Sequence, residues 1–199
     1  MTMKHDEQKY LSFGCESPDI EHGTAVTGIY VHYGHHLVQF YDLRCINKSK
    51  KKKDKGDKEA KPGRPDKALK KLVEDEQFCD IDIVNMSFGG ENLPAKQKSE
   101  FVRYIEILSK RCILVAAAGN CGSKELEAIQ FPASHAGVIA VGAHNDNGKL
   151  VEFSSTGSKV EFTCPGEHIA TIDPDGNDVS MSGTSFAAPM AGAFMTHVL

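Results

Sequence analysis

Short apolar runs alternate with helical stretches over most of the chain, and this alternation constrains the fold more than any other feature of the sequence. Between the runs, residues 65–77 and 94–110 carry apolar side chains at the spacing of one helical face. Strands joined through helices require right-handed crossovers, so the pattern predicts a mostly parallel sheet with helices on both faces, a three-layer α/β fold. The runs predicted as buried strands are residues 36–45, 81–87, 112–117 and 137–143.

The last third of the chain has a different pattern. Residues 145–148 (NDNG) and 173–178 (DPDGND) are rich in turn formers and separate short extended pieces, which predicts hairpins rather than crossovers. Residues 182–199 then predict a helix that opens at Gly-Thr-Ser. This helix tolerates Pro189 because the proline lies near its start.

The charge of the chain is distributed unevenly. Its 199 residues, enough for one domain, have a formal net charge of −4, yet residues 48–71 are strongly basic. No aromatic side chain lies in that segment to stack on bases, so we predict a solvated insertion loop and no nucleic-acid partner. Binding of an anionic surface is the alternative, and a steep salt dependence would reveal it. No apolar run reaches the roughly 20 residues that cross a bilayer, so no membrane partner is expected.

The cysteines and histidines do not have the spacing of a metal site. The six cysteines lack any Cys-x-x-Cys pair, so we expect free, mostly buried thiols rather than zinc ligands or a disulfide framework. His32, His35 and His36 lie close together in sequence but have no carboxylate or thiol partner at a suitable spacing. The sequence therefore predicts no metal and no cofactor.

Residues 182–191 (SGTSFAAPMA) predict a serine in the first turn of a helix. The backbone amide of Ser185 is then among the unpaired N–H groups of the helix end, where the helix dipole adds positive charge. Both features favour an oxyanion next to Ser185 Oγ during attack on a carbonyl. The alternative is that Ser182 or Thr184 only caps the helix.

Two further segments carry polar side chains suited to the same chemistry. In residues 22–29 (HGTAVTGI), His22 precedes a helical pattern, and imidazole exchanges protons near neutral pH. In residues 115–120 (VAAAGN), Asn120 follows a buried strand at the carboxyl edge of the sheet, where an amide can donate to an oxyanion. The alternatives are a surface histidine and a turn asparagine.

Together and in this order, these motifs resemble those of the subtilase family of serine peptidases. HGTAVTGI is similar to the family's histidine motif, NMSFGG to its substrate-binding strand, AAAGN to its oxyanion segment and SGTSFAAPMAGA to its serine motif. The resemblance covers about residues 19–193. It implies a subtilisin-like fold and a serine endopeptidase that acts on peptides or proteins.

By this resemblance, Ser185 is the nucleophile, His22 the general base and Asn120 the oxyanion donor. Two segments correspond to the walls of the primary pocket, where an extended peptide pairs with the backbone. Their small residues predict room for a sizeable apolar side chain of the substrate. The residues concerned are Ser87, Phe88 and Gly89 on one wall and Ala117, Ala118 and Gly119 on the other.

The sequence departs from the family at the triad aspartate. By the resemblance, that aspartate ends the first strand in an Asp-Ser-Gly or Asp-Thr-Gly setting, and the 21 residues before His22 contain no such strand. Asp6 lies outside any apolar run, and Asp19 is too close to His22. We therefore predict that the amino-terminal strand and its aspartate are missing, that residues 1–199 form one partial domain, and that both ends are truncated.

Two functions stay open on these grounds. One is a serine endopeptidase that works through an acyl-enzyme, and the other is a catalytically inactive subtilase-like domain that binds peptides or other proteins. Residues 1–10 are polar and charged, unlike a signal peptide, and the compartment stays unassigned. Family members often bind calcium, but no calcium ligands can be assigned in this sequence.

Overall fold

The computed structural model describes residues 8–14, 20–34, 38–42, 64–90, 93–122 and 129–199. The strands are β1 (Gln8–Gly14), β2 (Val38–Asp42), β3 (Ile83–Ser87), β4 (Ile113–Ala117), β5 (Ile139–His144), β6 (Val160–Pro165), β7 (Ile169–Ile172) and β8 (Asp178–Met181). The helices are α1 (Ile20–Tyr33), α2 (Pro65–Glu74), α3 (Ala95–Leu108) and α4 (Thr184–Met195), with a 3-10 turn at Glu76–Phe78.

Six strands form one parallel sheet in the order β2-β1-β3-β4-β5-β6. Along the chain, α1 lies between β1 and β2, α2 between β2 and β3, and α3 between β3 and β4. A helix therefore accompanies each of these crossovers, as parallel pairing requires. The predicted class, a three-layer α/β fold with a mostly parallel sheet, is confirmed.

Two apolar cores lie on opposite faces of the sheet, and β4 contributes to both. Leu114 and Ala116 belong to one core, whereas Val115 and Ala117 belong to the other, because successive side chains of a strand point to opposite faces. The first core is covered by α2 and α3, and we call this side the α2–α3 face. The second is covered by α1 and α4 and is called the α1–α4 face.

The prediction that the amino-terminal strand is missing is wrong, because β1 occupies the position between β2 and β3 in the sheet. Residues Gln8–Gly14 (QKYLSFG) pair in parallel with β2 on one side and with β3 on the other. This segment lacks the continuous apolar run by which the other strands were predicted. Backbone hydrogen bonds select it instead, since β2 and β3 each offer a row of N–H and C=O groups that must be paired.

The turn predictions for the last third are confirmed. β7 and β8 form an antiparallel hairpin, in whose turn the Asp173 carboxylate accepts the N–H groups of Asp175 (2.9 Å) and Asn177 (2.8 Å). The Asn177 side-chain amide, which donates to Asp173 Oδ2 at 2.9 Å, lowers the pKa of Asp173, and the backbone N–H groups add to this shift. An antiparallel bridge between His144 and Leu150 closes the turn at residues 145–148.

The basic segment is only partly described. Residues 48–63 lie outside the described part of the chain, and the predicted loop there stays a prediction. Residues 65–71 belong to α2, so the loop prediction is wrong for them. The helix begins at Pro65, whose fixed φ and missing N–H suit a first helical position.

The cysteines that the structure describes are free thiols, as predicted, but they are not mostly buried. Cys79 and Cys121 are exposed. Burial raises the pKa of Cys112 to about 12 and that of Cys164 to about 11, so both stay protonated at neutral pH. Cys15 and Cys45 lie outside the described residues.

Candidate active site

The first turn of α4 holds Ser185 in a fixed, buried position. Gly183 precedes the helix with a φ of 153°, a conformation that favours glycine, and its N–H donates to Gly166 O at 2.8 Å. The N–H of Phe186 then donates back to Gly183 O at 3.0 Å. Ser185 therefore lies in the first turn, where backbone N–H groups lack partners within the helix.

Neither serine nor threonine caps α4 through its side chain. The residue at the cap position is Gly183, and no side-chain hydrogen bond caps the helix. The Ser182 hydroxyl accepts instead from His168 N–H at 2.8 Å. The alternative interpretation of this motif as a simple helix cap is therefore wrong.

Asn120 is tied to α4 by two hydrogen bonds from one residue. Its Oδ1 accepts from the Thr184 backbone N–H at 3.0 Å and from the Thr184 hydroxyl at 2.9 Å. A backbone N–H can only donate, so the amide atom facing it must be the oxygen, and Nδ2 is turned to the other side. Asn120 Nδ2 lies near Gly183, 3.5 Å from where a Cβ on that glycine would be.

Thr184 is a positioning residue that the sequence reasoning missed. Its Oγ1 also accepts from Gly119 N–H at 3.1 Å, so this one buried hydroxyl holds the loop after β4 against the start of α4. The Gly-Thr-Ser motif predicts the opening of a helix, with Ser185 as nucleophile or Thr184 as a cap, but it does not indicate that Thr184 contacts the loop after β4. We call the interaction of Thr184 with Gly119 and Asn120 the Thr184 clamp.

His22 lies in the first turn of α1, next to the serine helix. Its ring centroid is 5.6 Å from the ring centroid of Phe186, the residue after Ser185. The two chain neighbours of Ser185 thus contact the two other predicted catalytic residues: Thr184 contacts Asn120, and Phe186 contacts His22. Among the described contacts, no hydrogen bond joins the His22 imidazole to the Ser185 hydroxyl, and such bonds commonly tighten only when substrate binds.

The packing of α1 against α4 brings His22 to this position. Gly192 in α4 faces Tyr30 in α1, and a Cβ at position 192 would lie only 2.7 Å from Tyr30 Cζ. The missing side chain therefore permits the close approach of the helices. Thr171 also fixes α1, because its buried hydroxyl donates to Ala25 O at 2.6 Å.

The segments predicted to bind substrate lie at the ends of β3 and β4, which are neighbours in the sheet. On the first, Ser87 is buried and accepts a hydrogen bond from Asn85 Nδ2 at 2.9 Å. Phe88 is buried in the core of the α2–α3 face, 6.2 Å from the Phe101 ring, so its side chain serves packing. Only the backbone of this segment is then suited to pairing with a peptide.

The second segment is hydrogen-bonded to two neighbouring segments through the backbone of Ala118. Ala118 N–H donates to Val141 O, and Ala118 O accepts from Gln130 N–H, both at 2.9 Å. Ala117 and Ala118 are buried in the two opposite cores. The third residue, Gly119, has a φ of 114°, which favours glycine.

One side chain packs against both segments, so the room for a sizeable apolar side chain is smaller than the wall motifs predict. The side chain of Gln130 lies against both Gly89 and Gly119. Residue 130 lies outside both segments in sequence, and nothing in the wall motifs indicates its position.

The end of β1 carries no acidic side chain. The strand ends at Gly14, which pairs with Ser87 of β3 at the carboxyl edge of the sheet. Asp6 and Asp19 lie outside the described residues. The absence of a triad aspartate stays a prediction, and Gly14 at the end of β1 is the position to which it applies.

Neither a metal cluster nor a membrane span is found in the described part of the chain. Among those residues, no group of three or more His, Cys, Asp or Glu side chains could hold a metal ion. The helices within the same residues are too short or too polar to cross a bilayer.

The sequence comparisons point to one family. A sequence model of the subtilase family matches residues 15–199. The chain belongs to the subtilase family. Subtilisin DY from Bacillus licheniformis is 36% identical over 115 residues, which make up 57% of this subtilase chain and 41% of that protein. The intracellular serine protease of Paenibacillus polymyxa is 35% identical over 117 residues, 57% of this chain and 35% of that protein. The subtilase chain thus spans less than half of the length of these relatives.

Solved structures confirm the subtilisin-like fold of this subtilase. The prenylagaramide maturation protease PagA superposes with a TM-score of 0.71 at 22% identity, covering 97% of this chain and 75% of that one. A cold adapted subtilisin-like serine proteinase superposes with a TM-score of 0.70 at 17% identity, covering 96% of this chain and 74% of that one.

Proposed function

We propose that this subtilase hydrolyses peptide bonds through an acyl-enzyme, with Ser185 as nucleophile, His22 as general base and Asn120 as oxyanion donor. The observation that carries the proposal is the Thr184 clamp. It fixes the Asn120 amide so that its oxygen is used by the protein and its NH₂ group is left to donate beside the start of α4. Peptides and proteins are the proposed substrates.

The nucleophilic step needs a proton acceptor near Ser185. Ser185 Oγ attacks the carbonyl carbon of the substrate while its proton passes to the His22 imidazole. The carbon–nitrogen bond then breaks, and His22 returns the proton to the leaving amine. Water hydrolyses the acyl-enzyme by the same steps, which regenerates the Ser185 hydroxyl.

The negative charge of the tetrahedral intermediate is stabilised by two fixed donors. One is Asn120 Nδ2, and the other is the backbone N–H of Ser185 at the positive end of the α4 dipole. Loss of one such donor costs about 10²–10³ in rate. Because the Thr184 clamp fixes the amide before substrate arrives, no reorganisation is needed when the charge develops.

Activity is expected to be low, because β1 ends without a carboxylate. In the triad, a carboxylate holds the histidine in the correct tautomer and stabilises the imidazolium. In subtilisin, loss of that aspartate lowers turnover by about 3 × 10⁴-fold. We therefore expect slow chemistry that still depends on Ser185.

Labelling with a serine-directed fluorophosphonate tests the proposal. We expect slow labelling of the full chain and none of Ser185→Ala. Ser182→Ala is the matched control, since this nearby hydroxyl is bonded to His168 and should not affect the rate. Labelling that persists in Ser185→Ala would refute the assignment of the nucleophile.

The second candidate is a catalytically inactive domain that binds peptides. The observation that favours it is Gly14 at the end of β1, where the family resemblance calls for an aspartate. An inactive domain would bind extended peptides measurably and remain unlabelled after prolonged exposure to the fluorophosphonate. Labelling at Ser185 would exclude it.

A further inference from the structure

Gln130 occupies the space between the two segments that correspond to the walls of the primary pocket. A Cβ placed on Gly89 would lie 2.6 Å from Gln130 Oε1 and 2.9 Å from Gln130 Cβ. A Cβ placed on Gly119 would lie 2.8 Å from Gln130 Cγ. The glutamine side chain therefore packs against the backbone of both glycines along its length, from Cβ to the terminal amide.

The main chain of residue 130 is held on both sides. Its N–H donates to Ala118 O at 2.9 Å, and its carbonyl accepts from Ser134 N–H at 3.0 Å. The following residue, Phe131, is buried with its ring centroid 5.2 Å from that of Phe101. Gln130 Cβ and Cγ are thus fixed between the walls by the backbone.

The amide at the end of the side chain is also bonded. Gln130 Nε2 donates to Cys121 Sγ at 3.2 Å, in the loop that carries Asn120. This hydrogen bond orients the amide towards the loop after β4. A rotation about the last torsion of the side chain would move Oε1 and Nε2 but would leave Cβ and Cγ in place.

We infer that Gln130 is a specificity-determining residue that restricts the substrate residue whose carbonyl is attacked, here called P1, to glycine, alanine or serine. The inference rests on the proposed function, because it takes these two segments to be the walls of the pocket. A P1 aromatic ring and the glutamine side chain cannot occupy the same space. The substrate class is therefore a peptide with a small P1 residue, in place of the sizeable apolar residue predicted from the walls alone.

Peptide binding to the full chain carrying Ser185→Ala tests the inference without requiring catalysis. Two fluorescent peptides that differ only in alanine or phenylalanine at P1 are titrated by anisotropy. We expect at least about tenfold tighter binding of the alanine peptide, in line with what a filled pocket costs. In Gln130→Gly, on the same Ser185→Ala background, the phenylalanine peptide should gain at least about tenfold, whereas the alanine peptide should change little.

Two further variants separate pocket volume from a general disturbance of the fold. Gln130→Met keeps the length of the side chain and should keep the preference for alanine. If thermal unfolding shows that Gln130→Gly is not folded, Gln130→Ala takes its place and should weaken the preference for the alanine peptide. Equal affinity for both peptides, or a preference that survives Gln130→Gly and Gln130→Ala, overturns the inference.

The failure of the inference can be told apart from the failure of the proposed function. If the chain prefers the alanine peptide through Gln130 but never reacts at Ser185, the inference about the pocket stands and the proposed peptidase activity fails. If the chain reacts at Ser185 but binds both peptides equally, the proposed peptidase activity stands and the inference about the pocket fails.

Discussion

The two faces of the sheet are built from different kinds of side chain. The core of the α1–α4 face is rich in alanine and contains the buried polar residues Thr184 and Ser185. The core of the α2–α3 face is rich in aromatic residues, among them Phe78, Phe101 and Phe131, whose rings pack edge to face with neighbours. The proposed nucleophile and most of the buried aromatic rings therefore lie on opposite faces of the sheet.

This difference has a physical reason. Two helices can carry residues of one active site only if they approach closely, and small residues permit this, as Gly192 does beside Tyr30. Small residues bury little apolar area each, whereas an aromatic side chain buries 150–250 Å². The α2–α3 face thus supplies much of the apolar stabilisation that the site itself cannot. Substitutions near the site should change chemistry first, and substitutions on the other face should change stability first.

The largest effect is expected where a carboxylate is introduced at the carboxyl edge of the sheet. Gly14→Asp places an acidic side chain at the end of β1, opposite Ser87. If the missing aspartate limits the rate, labelling of Ser185 should accelerate by up to about 10⁴-fold. The measurement is the pseudo-first-order rate with a fluorophosphonate.

Gly14→Asn is the matched control for that change, because it has the same size without the charge, and it should give a much smaller gain. An unchanged rate in a folded Gly14→Asp protein would show that this strand end does not face the histidine.

A smaller effect is expected from breaking the Thr184 clamp. Thr184→Val keeps the shape of the side chain but removes the hydroxyl that Gly119 and Asn120 share. The Asn120 amide should keep only the hydrogen bond from the backbone N–H of residue 184 and should be held less firmly. The labelling rate of Ser185 should therefore fall about tenfold, less than the full loss of an oxyanion donor would cost. Thr184→Ser restores the hydroxyl and should recover most of the rate. A valine variant that labels at the wild-type rate would contradict the proposed role of the clamp.

The smallest effect is expected on the α2–α3 face and should appear in stability alone. The Arg64 guanidinium forms two hydrogen bonds with the buried Asp66 carboxylate, which lowers the pKa of Asp66. A folded-state pKa below the unfolded one contributes stability at neutral pH that is lost as the pH falls through about 4 and below. Asp66→Asn should lower the Tm by about 2 °C at pH 7 and reduce the fall in Tm between pH 7 and pH 3.

The exposed Lys70–Glu74 pair provides the comparison for that stability measurement. Its charges are 3.7 Å apart on the surface of α2, so Glu74→Gln should leave the Tm unchanged. Neither substitution should alter the labelling rate of Ser185. A change in that rate would mean that the two faces are coupled more strongly than their cores indicate.

Much of the architecture could be predicted from local patterns. The predicted strand at residues 81–87 is observed as Ile83–Ser87, and the one at 112–117 as Ile113–Ala117. Both are continuous apolar runs because a parallel sheet buries its strands on both faces. The predicted helix at 94–110 is observed as Ala95–Leu108, since its buried residues recur at helical spacing. The strand Gln8–Gly14 was missed because it lacks such a run.

The sequence by itself determined the alternation of strands and helices after β1, the hairpin turns and the motifs around His22, Asn120 and Ser185. These depend on residues a few positions apart, where periodicity and turn chemistry act. Only the tertiary structure decided that β1 lies between β2 and β3, that Thr184 fixes Asn120 across 64 positions, and that Gln130 packs against both Gly89 and Gly119. Such contacts arise when crossovers bring distant segments to one edge of the sheet, and no local pattern records which side chain then occupies the space between them.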